Sequence, residues 1–302
     1  MPSARIALVV NPRAGKGRVG KELPRLVALI EATGGHPEVF VTERAGHAVD
    51  LARAAAASGA GTVVAVGGDG TVNEVVNGLV QEDRLVGSAA LGIVAAGSGC
   101  DFARTFGLPK DVDHDLAGIM GPTRLLDVGR IDCLGRSGPV TRYFVNVAEA
   151  GMAAATVQRA GGYPRWMGRS RYVVAFWPSL ARFRPVEMTV TTPEGRYTGT
   201  AHNALVANAR YFGGGMHISP NSDPSDGVFD AQVNIGPKRQ AFTMIPKFFR
   251  GTHLPDPRII QMTSTSFTIS AERPIPVEAD GEMVGETPVT FTVLPGLLQV
   301  RA

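Results

Sequence analysis

Over residues 1–95 the chain alternates short apolar runs with stretches of helical periodicity, and its runs end at glycine- or proline-bearing turns. Residues 5–11 form an apolar run closing on Asn-Pro. Residues 20–33 carry Leu23, Leu26, Val27 and Ile30 at helical spacing and stop at Gly34-Gly35. A short run at 39–42, an alanine-rich helical stretch at 48–58 and a run at 62–66 follow. A helix is predicted over 71–80, with Val72, Val75, Val76 and Leu79 on one face, and a fourth run over 91–95. Such alternation implies a parallel sheet with helices on both faces. Ligands of such sheets bind outside the carboxyl ends of the strands. The turns after Val10, Val41, Val66 and Val94 are therefore expected to share one crevice.

After about Asp127 the pattern changes. Segments 142–147, 186–191, 204–207, 228–235, 266–270 and 289–293 read as strands punctuated by proline and glycine, with a helix at about 170–183. We read a doubly wound α/β domain over 1–126 and a second, mainly antiparallel domain over 127–302. A chain of 302 residues, 44% hydrophobic and 19% charged, can bury such cores without disulfides. The net charge of +3, with no run of like charges, gives no argument for nucleic acid. Cys100 and Cys133 lack metal or redox spacing, which makes a reducing cytoplasm the default. No signal segment and no apolar stretch of ~18 residues is evident, so contact with a membrane is expected to be peripheral.

Two glycine-bearing segments fail as nucleotide motifs. Residues 15–22 nearly match a phosphate loop, but Glu22 stands where that loop needs a hydroxyl for Mg²⁺. Gly97-Ser98-Gly99 lacks the third glycine of a dinucleotide fingerprint. The informative turn is Gly67-Gly68-Asp69-Gly70-Thr71, between a strand and a helix. Its glycines let backbone N–H groups approach a phosphate, and the following helix adds its positive end. Asp69 makes sense there if a cation lies between it and the phosphate. A tight turn with Asp69 as helix cap is the competing account.

Gly67–Asn73 with Glu74-Val75-Val76-Asn77-Gly78 resembles the G-G-D-G-T-x-N-E-V-x-N-G signature of the diacylglycerol kinase catalytic-domain family, which includes bacterial lipid kinases and sphingosine and ceramide kinases. Asn11-Pro12 with Gly15 is similar to that family's first strand end, and Thr42 to its nucleotide-contacting threonine. Residues 97–103 resemble its G-[ST]-x-N-D-F-A loop, with Cys100 in place of the usual Asn. Asn208-Ala209, Gly213–Met216, Pro220, Asp226-Gly227, Asp280-Gly281-Glu282 and Pro288 resemble its second-domain pattern.

The resemblance implies an NAD-kinase- and phosphofructokinase-like α/β nucleotide domain, a β-sandwich lipid domain and an active site in the cleft between them. It implies ATP contacts from Asn11, Pro12, Arg13, Ala14 and Gly15, from Thr42, and from Ser98. From the signature it adds Gly67, Gly68, Gly70, Thr71, Asn73 and Glu74. It places Mg²⁺ on Asp223, Asp226 and the Val228 main chain, where oxygen donors suit the ion. An ordinary Asp-Gly turn is the other account of Asp226. For the proton acceptor, Asp280 and Glu282 are two apart, so an extended segment would turn both to one side. Asp69 competes for that role, and Asp101 joins the candidate catalytic carboxylates.

Between Arg159 and Arg184, aromatic residues, Trp166 and Trp177 among them, interleave with Arg165, Arg169, Arg171 and Arg182. That composition suits an anionic lipid surface. A helix packed on the sandwich through Tyr172, Phe176, Leu180 and Phe183 explains the apolar stripe equally well. Residues 238–253 form a second basic, Phe-containing helix candidate. The reading is an ATP- and Mg²⁺-dependent kinase of a membrane lipid, peripherally attached, without a nucleic-acid partner and with a homodimer left open. An NAD kinase and a non-catalytic nucleotide- or lipid-binding regulator are the alternatives.

Overall fold

The structure, a computed structural model, describes residues 5–97, 99–108, 117–164, 167–168 and 170–301. Ser98, Arg165, Trp166 and Arg169 lie outside the described residues. The chain divides into two compact units, Met1–Val128 with Pro295–Ala302, and Gly129–Leu294.

The first unit is the expected α/β layer structure. Strands β1 (Arg5–Val10), β2 (His36–Val41), β3 (Thr62–Gly67) and β6 (Ala90–Ala95) run parallel in the order β2-β1-β3-β6. A small hairpin, β4 (Val80–Gln81) and β5 (Arg84–Leu85), intervenes in sequence. Strands β3 and β6 are buried along their whole length, as strands covered on both faces must be, whereas edge strand β2 is largely exposed. Helix α1 (Arg18–Ala32) lays Val19, Leu26 and Ile30 against Leu8, Val64 and Val94. Helices α2 (His47–Ala57) and α3 (Asp69–Leu79) approach so closely that a Cβ on Gly78 would lie 2.5 Å from the Val49 carbonyl oxygen. A short helix, α4 (Asp101–Thr105), follows β6.

Strand β7 (Arg124–Gly135) begins in the first unit and continues in the second. The second unit holds an antiparallel run β14-β13-β12-β9-β16-β17 and a second run β11-β10-β15-β17, with β8 paired to β7. These are β8 (Gly138–Phe144), β9 (Val147–Gly151), β10 (Val186–Thr191), β11 (Arg196–Ala201), β12 (Asn203–Ala207), β13 (Phe229–Asn234), β14 (Ile259–Ser264), β15 (Ser266–Ala271), β16 (Pro276–Ala279) and β17 (Glu282–Arg301). Alternate residues of both runs, Val190, Phe229, Phe267 and Phe291 among them, form one sandwich core with Phe144 of β8. Helices α5 (Met152–Gly161), α6 (Ser170–Arg182) and α7 (Ala241–Arg250) complete the unit. Residues 295–302, grouped by sequence with the second domain, cluster with the first unit, where Val300 and Arg301 of β17 pair parallel with Leu91 and Gly92 on the open edge of β6.

Candidate active site

In the first unit the turns at the strand ends are held against one another. The Asn11 side-chain amide donates to Thr71 Oγ1 at 3.3 Å, and Asn11 Oδ1 accepts the Arg13 N–H at 3.1 Å. One side chain thus joins the turn after β1 to the start of α3. Pro12 and Arg13 are exposed, and Ala14 with Gly15 opens a short 3-10 turn. Gly15 has φ +60°, and a Cβ there would sit 2.5 Å from the Ala96 carbonyl oxygen. The Thr42 N–H donates to the Val10 carbonyl at 2.9 Å, which sets Thr42 beside the same strand end. A Cβ on Gly97 would lie 2.4 Å from the Gly68 Cα, so the backbones of two glycine turns touch. The α3 N-terminus begins at Gly68 without a side-chain cap, and Gly70 is exposed in its first turn. Uncapped N–H groups at a helix start suit a phosphate oxygen.

Asp69 stands between these turns. Its Oδ1 accepts the Phe102 N–H at 3.2 Å, in the first turn of α4, and Oδ2 would lie 2.6 Å from a Cβ on Gly99. The carboxylate therefore caps a neighbouring helix rather than its own, which the sequence did not show. Asp101 is buried at the first residue of α4, on the side of the helix dipole that favours a carboxylate. Cys100 adopts a left-handed conformation, φ +55°, and its thiol donates to the Gly97 carbonyl at 3.2 Å. Asn73 accepts on Oδ1 from the Asn77 amide at 3.3 Å. Glu74 accepts from the N–H groups of Gly46 at 2.9 Å and Ala48 at 3.1 Å. Both of its oxygens thus cap α2, so its carboxylate orders a neighbouring turn.

In the second unit the Asp280–Glu282 segment is not extended. Asp280 and Gly281 have φ +49° and +85° and form the two-residue turn between β16 and β17. The two carboxylates therefore do not share a side, which corrects the expectation drawn from their spacing. Asp280 is buried, and its carboxylate accepts three main-chain N–H groups, from Val145, Asn146 and Val147, at 3.0–3.1 Å. Its lone pairs serve the bend between β8 and β9. Asn208 grips the same bend, donating from its side chain to the Val145 carbonyl at 2.9 Å. Glu282 is exposed at the first residue of β17.

Asp223 and Asp226 lie on one exposed turn before β13. Asp223 Oδ1 accepts from the N–H and hydroxyl of Ser225, Asp226 Oδ1 accepts the Val228 N–H at 3.1 Å, and the Asp226 N–H donates to the Asp223 carbonyl. Among the described residues no three acidic, His or Cys side chains converge for a metal. Two carboxylates with nearby carbonyls on an exposed turn nevertheless fit a hard cation that keeps several waters. Sequence reasoning missed Glu149 and Glu278, which the antiparallel pairing of β9 and β16 places opposite each other in the interior. The only signal was an acidic residue amid apolar ones in each strand.

Residues 5–131 match the family model for the diacylglycerol kinase catalytic domain, and residues 146–302 match the YegS C-terminal NAD kinase beta sandwich-like domain. The chain is similar to a diacylglycerol kinase of Mycobacterium tuberculosis, 32% identical over 98% of this chain and 94% of the relative. A diacylglycerol kinase of Bacillus subtilis is 28% identical over 96% and 93%. The fold is similar to a crystal structure of a diacylglycerol kinase from Bacillus anthracis, with TM-score 0.76, 22% identity and coverage of 100% and 97%. Yeast NADH kinase shares the fold more distantly, with TM-score 0.52, 10% identity and coverage of 100% and 84%.

Proposed function

Because the chain belongs to the diacylglycerol kinase catalytic domain family, we propose that it transfers the γ-phosphoryl group of ATP to a hydroxyl of diacylglycerol or a related lipid. The observation that carries this reading is the first unit's set of joined glycine turns around the uncapped start of α3, with Asp69 held between them. The N–H groups at Gly68 and after it would hold phosphate oxygens, and Asn11 and Thr71 would keep the flanking turns in register. Asp69, fixed by the Phe102 N–H, would present its other oxygen toward a metal-bound phosphate. Mg²⁺, when bound, would neutralise charge on the transferring group. On the second unit, Asp280 holds the turn and Glu282 is the better candidate to accept the lipid hydroxyl proton, since the oxygens of Asp280 are engaged by the main chain. The exposed turn of Asp223, Asp226 and Val228 would take a second, structural Mg²⁺.

No helix among the described residues is long and apolar enough to cross a membrane. A lipid acceptor would be met from the surface. Supporting this, α6 exposes Val173, Val174 and Trp177, and α7 exposes Phe242 and Phe249. Trp177 stacks on Phe242 with ring centroids 5.0 Å apart. Amphipathic aromatic faces of this kind suit a headgroup boundary. The test is incubation with γ-labelled ATP, Mg²⁺ and mixed micelles carrying a panel of lipids, with NAD as a separate acceptor. Labelled lipid is expected. Label on NAD alone would overturn the reading.

A further inference from the structure

Four arginines of the second unit, Arg159 on α5, Arg182 at the end of α6, and Arg184 and Arg273 beside it, line one cavity of about 300 Å³ together with Ser179 and Phe183. That volume is at the lower end of the ~300–1,000 Å³ of small-ligand sites. No acidic side chain lines it, and among the described residues none of the four guanidinium groups is in an ion pair. Two of them are already oriented. Arg159 Nε donates to Oγ of buried Ser179 at 3.0 Å. Arg273 donates to the Arg184 carbonyl at 3.0 Å, with its guanidinium 5.8 Å from the Phe183 ring centre.

The plain alternative is that these cations balance the negative end of α6. A helix end carries only about half an elementary charge. Lys238 already donates to the Ala181 carbonyl there at 2.8 Å. Four further guanidinium groups exceed what that end can balance, and they leave the cavity with a positive charge that a bound anion would neutralise.

We propose that this cavity is a binding site for a phosphate group. A carboxylate offers two oxygens and matches one guanidinium fork, whereas a phosphate offers oxygens to several forks at once. Both a phospholipid headgroup and a soluble phosphate ester supply that group. The site lies within the second unit and takes no part in the proposed phosphoryl transfer, so it stands or falls independently of the kinase reading.

The experiment uses the full chain. Calorimetry with inorganic phosphate, against chloride at equal ionic strength, is paired with sedimentation on phosphatidylcholine vesicles with and without phosphatidylglycerol. Arg184→Gln and Arg273→Gln, at exposed positions, carry the test should Arg159→Gln unfold through loss of its Ser179 bond. Saturable phosphate binding is expected, weakened about tenfold by each substitution, the scale of a lost charge-assisted hydrogen bond. Vesicle binding that needs phosphatidylglycerol, competes with phosphate and is lost in the same variants assigns the site to a headgroup. Phosphate binding without vesicle preference assigns it to a soluble ester. Absence of saturable binding in both arms, or unchanged affinity in both Arg184→Gln and Arg273→Gln, overturns the site.

Discussion

Glu149 and Glu278 face each other across β9 and β16, and both are buried. The Asn203 amide donates to Glu149 at 2.9 Å, and the Gly281 N–H donates to Glu278 Oε2 at 2.8 Å. Burial pushes the Glu149 carboxyl up to about 7, and burial together with the neighbouring Glu149 pushes Glu278 in the same direction. Two buried carboxylates placed opposite each other resist ionising together, which favours a proton on the pair.

The consequence for stability follows from linkage. A carboxyl whose folded pKa is raised favours the fold while protonated, and that contribution is lost as pH rises through the folded value. Wild-type stability is therefore expected to fall between about pH 5 and pH 8. Glu278→Gln can still accept from Gly281 and donate to Glu149, and should flatten the profile. At pH 8 it should raise stability on the order of 1–3 kcal/mol. Thermal unfolding across this range checks it, and parallel profiles for the two proteins would remove the shared proton.

Asp280 and Glu282 should separate into a structural and a catalytic group. Asp280→Ala leaves three buried main-chain donors without their acceptor, at about 1–3 kcal/mol each. A large fall in thermal midpoint, or failure to fold, is expected. Glu282→Gln should keep its midpoint and its ATP affinity and lose roughly 10²–10⁴-fold in turnover, the contribution of a general base. Full turnover in Glu282→Gln would move the proton acceptor elsewhere, with Asp69 next to test.

Asp69→Asn keeps an oxygen for the Phe102 N–H but removes the charge. It should stay folded and lose activity. Glu74→Ala instead uncaps α2, at about 1 kcal/mol, with a smaller change in nucleotide affinity. Calorimetric ATP binding beside thermal unfolding distinguishes the two. Equal losses of affinity would return Glu74 to the nucleotide site.

Cys100→Asn tests the loop before α4. Residue 100 sits at φ +55°, a region that Asn enters more readily than other side chains with a Cβ. The substitution is expected to stabilise by about 1 kcal/mol, read as a raised thermal midpoint. A lowered midpoint would show that the thiol bond to the Gly97 carbonyl outweighs the backbone strain.

The parallel layers of the first unit were legible because a strand buried on both faces must be almost wholly apolar, and residues 63–67 and Ala90–Ala95 are. Helix α6 over Ser170–Arg182 was legible from its 3.6-residue period. Strands β11, β14 and β16 were not, since short, half-polar segments carry little periodic signal. The glycine turns, Asp69 and the family likeness lay in contiguous residues, where local spacing suffices to reveal them.

What the sequence by itself determined was the order of layers and the turns that could meet a phosphate, because both depend on residues close together in the chain. Only the tertiary structure decided what each acidic group does. Asp280 reaches a bend 133–135 residues away, Glu74 caps a helix 26–28 residues before it, and Glu149 meets Glu278 across paired strands. A carboxylate acts according to the donors and charges around it in space, and those neighbours are set by packing at long range.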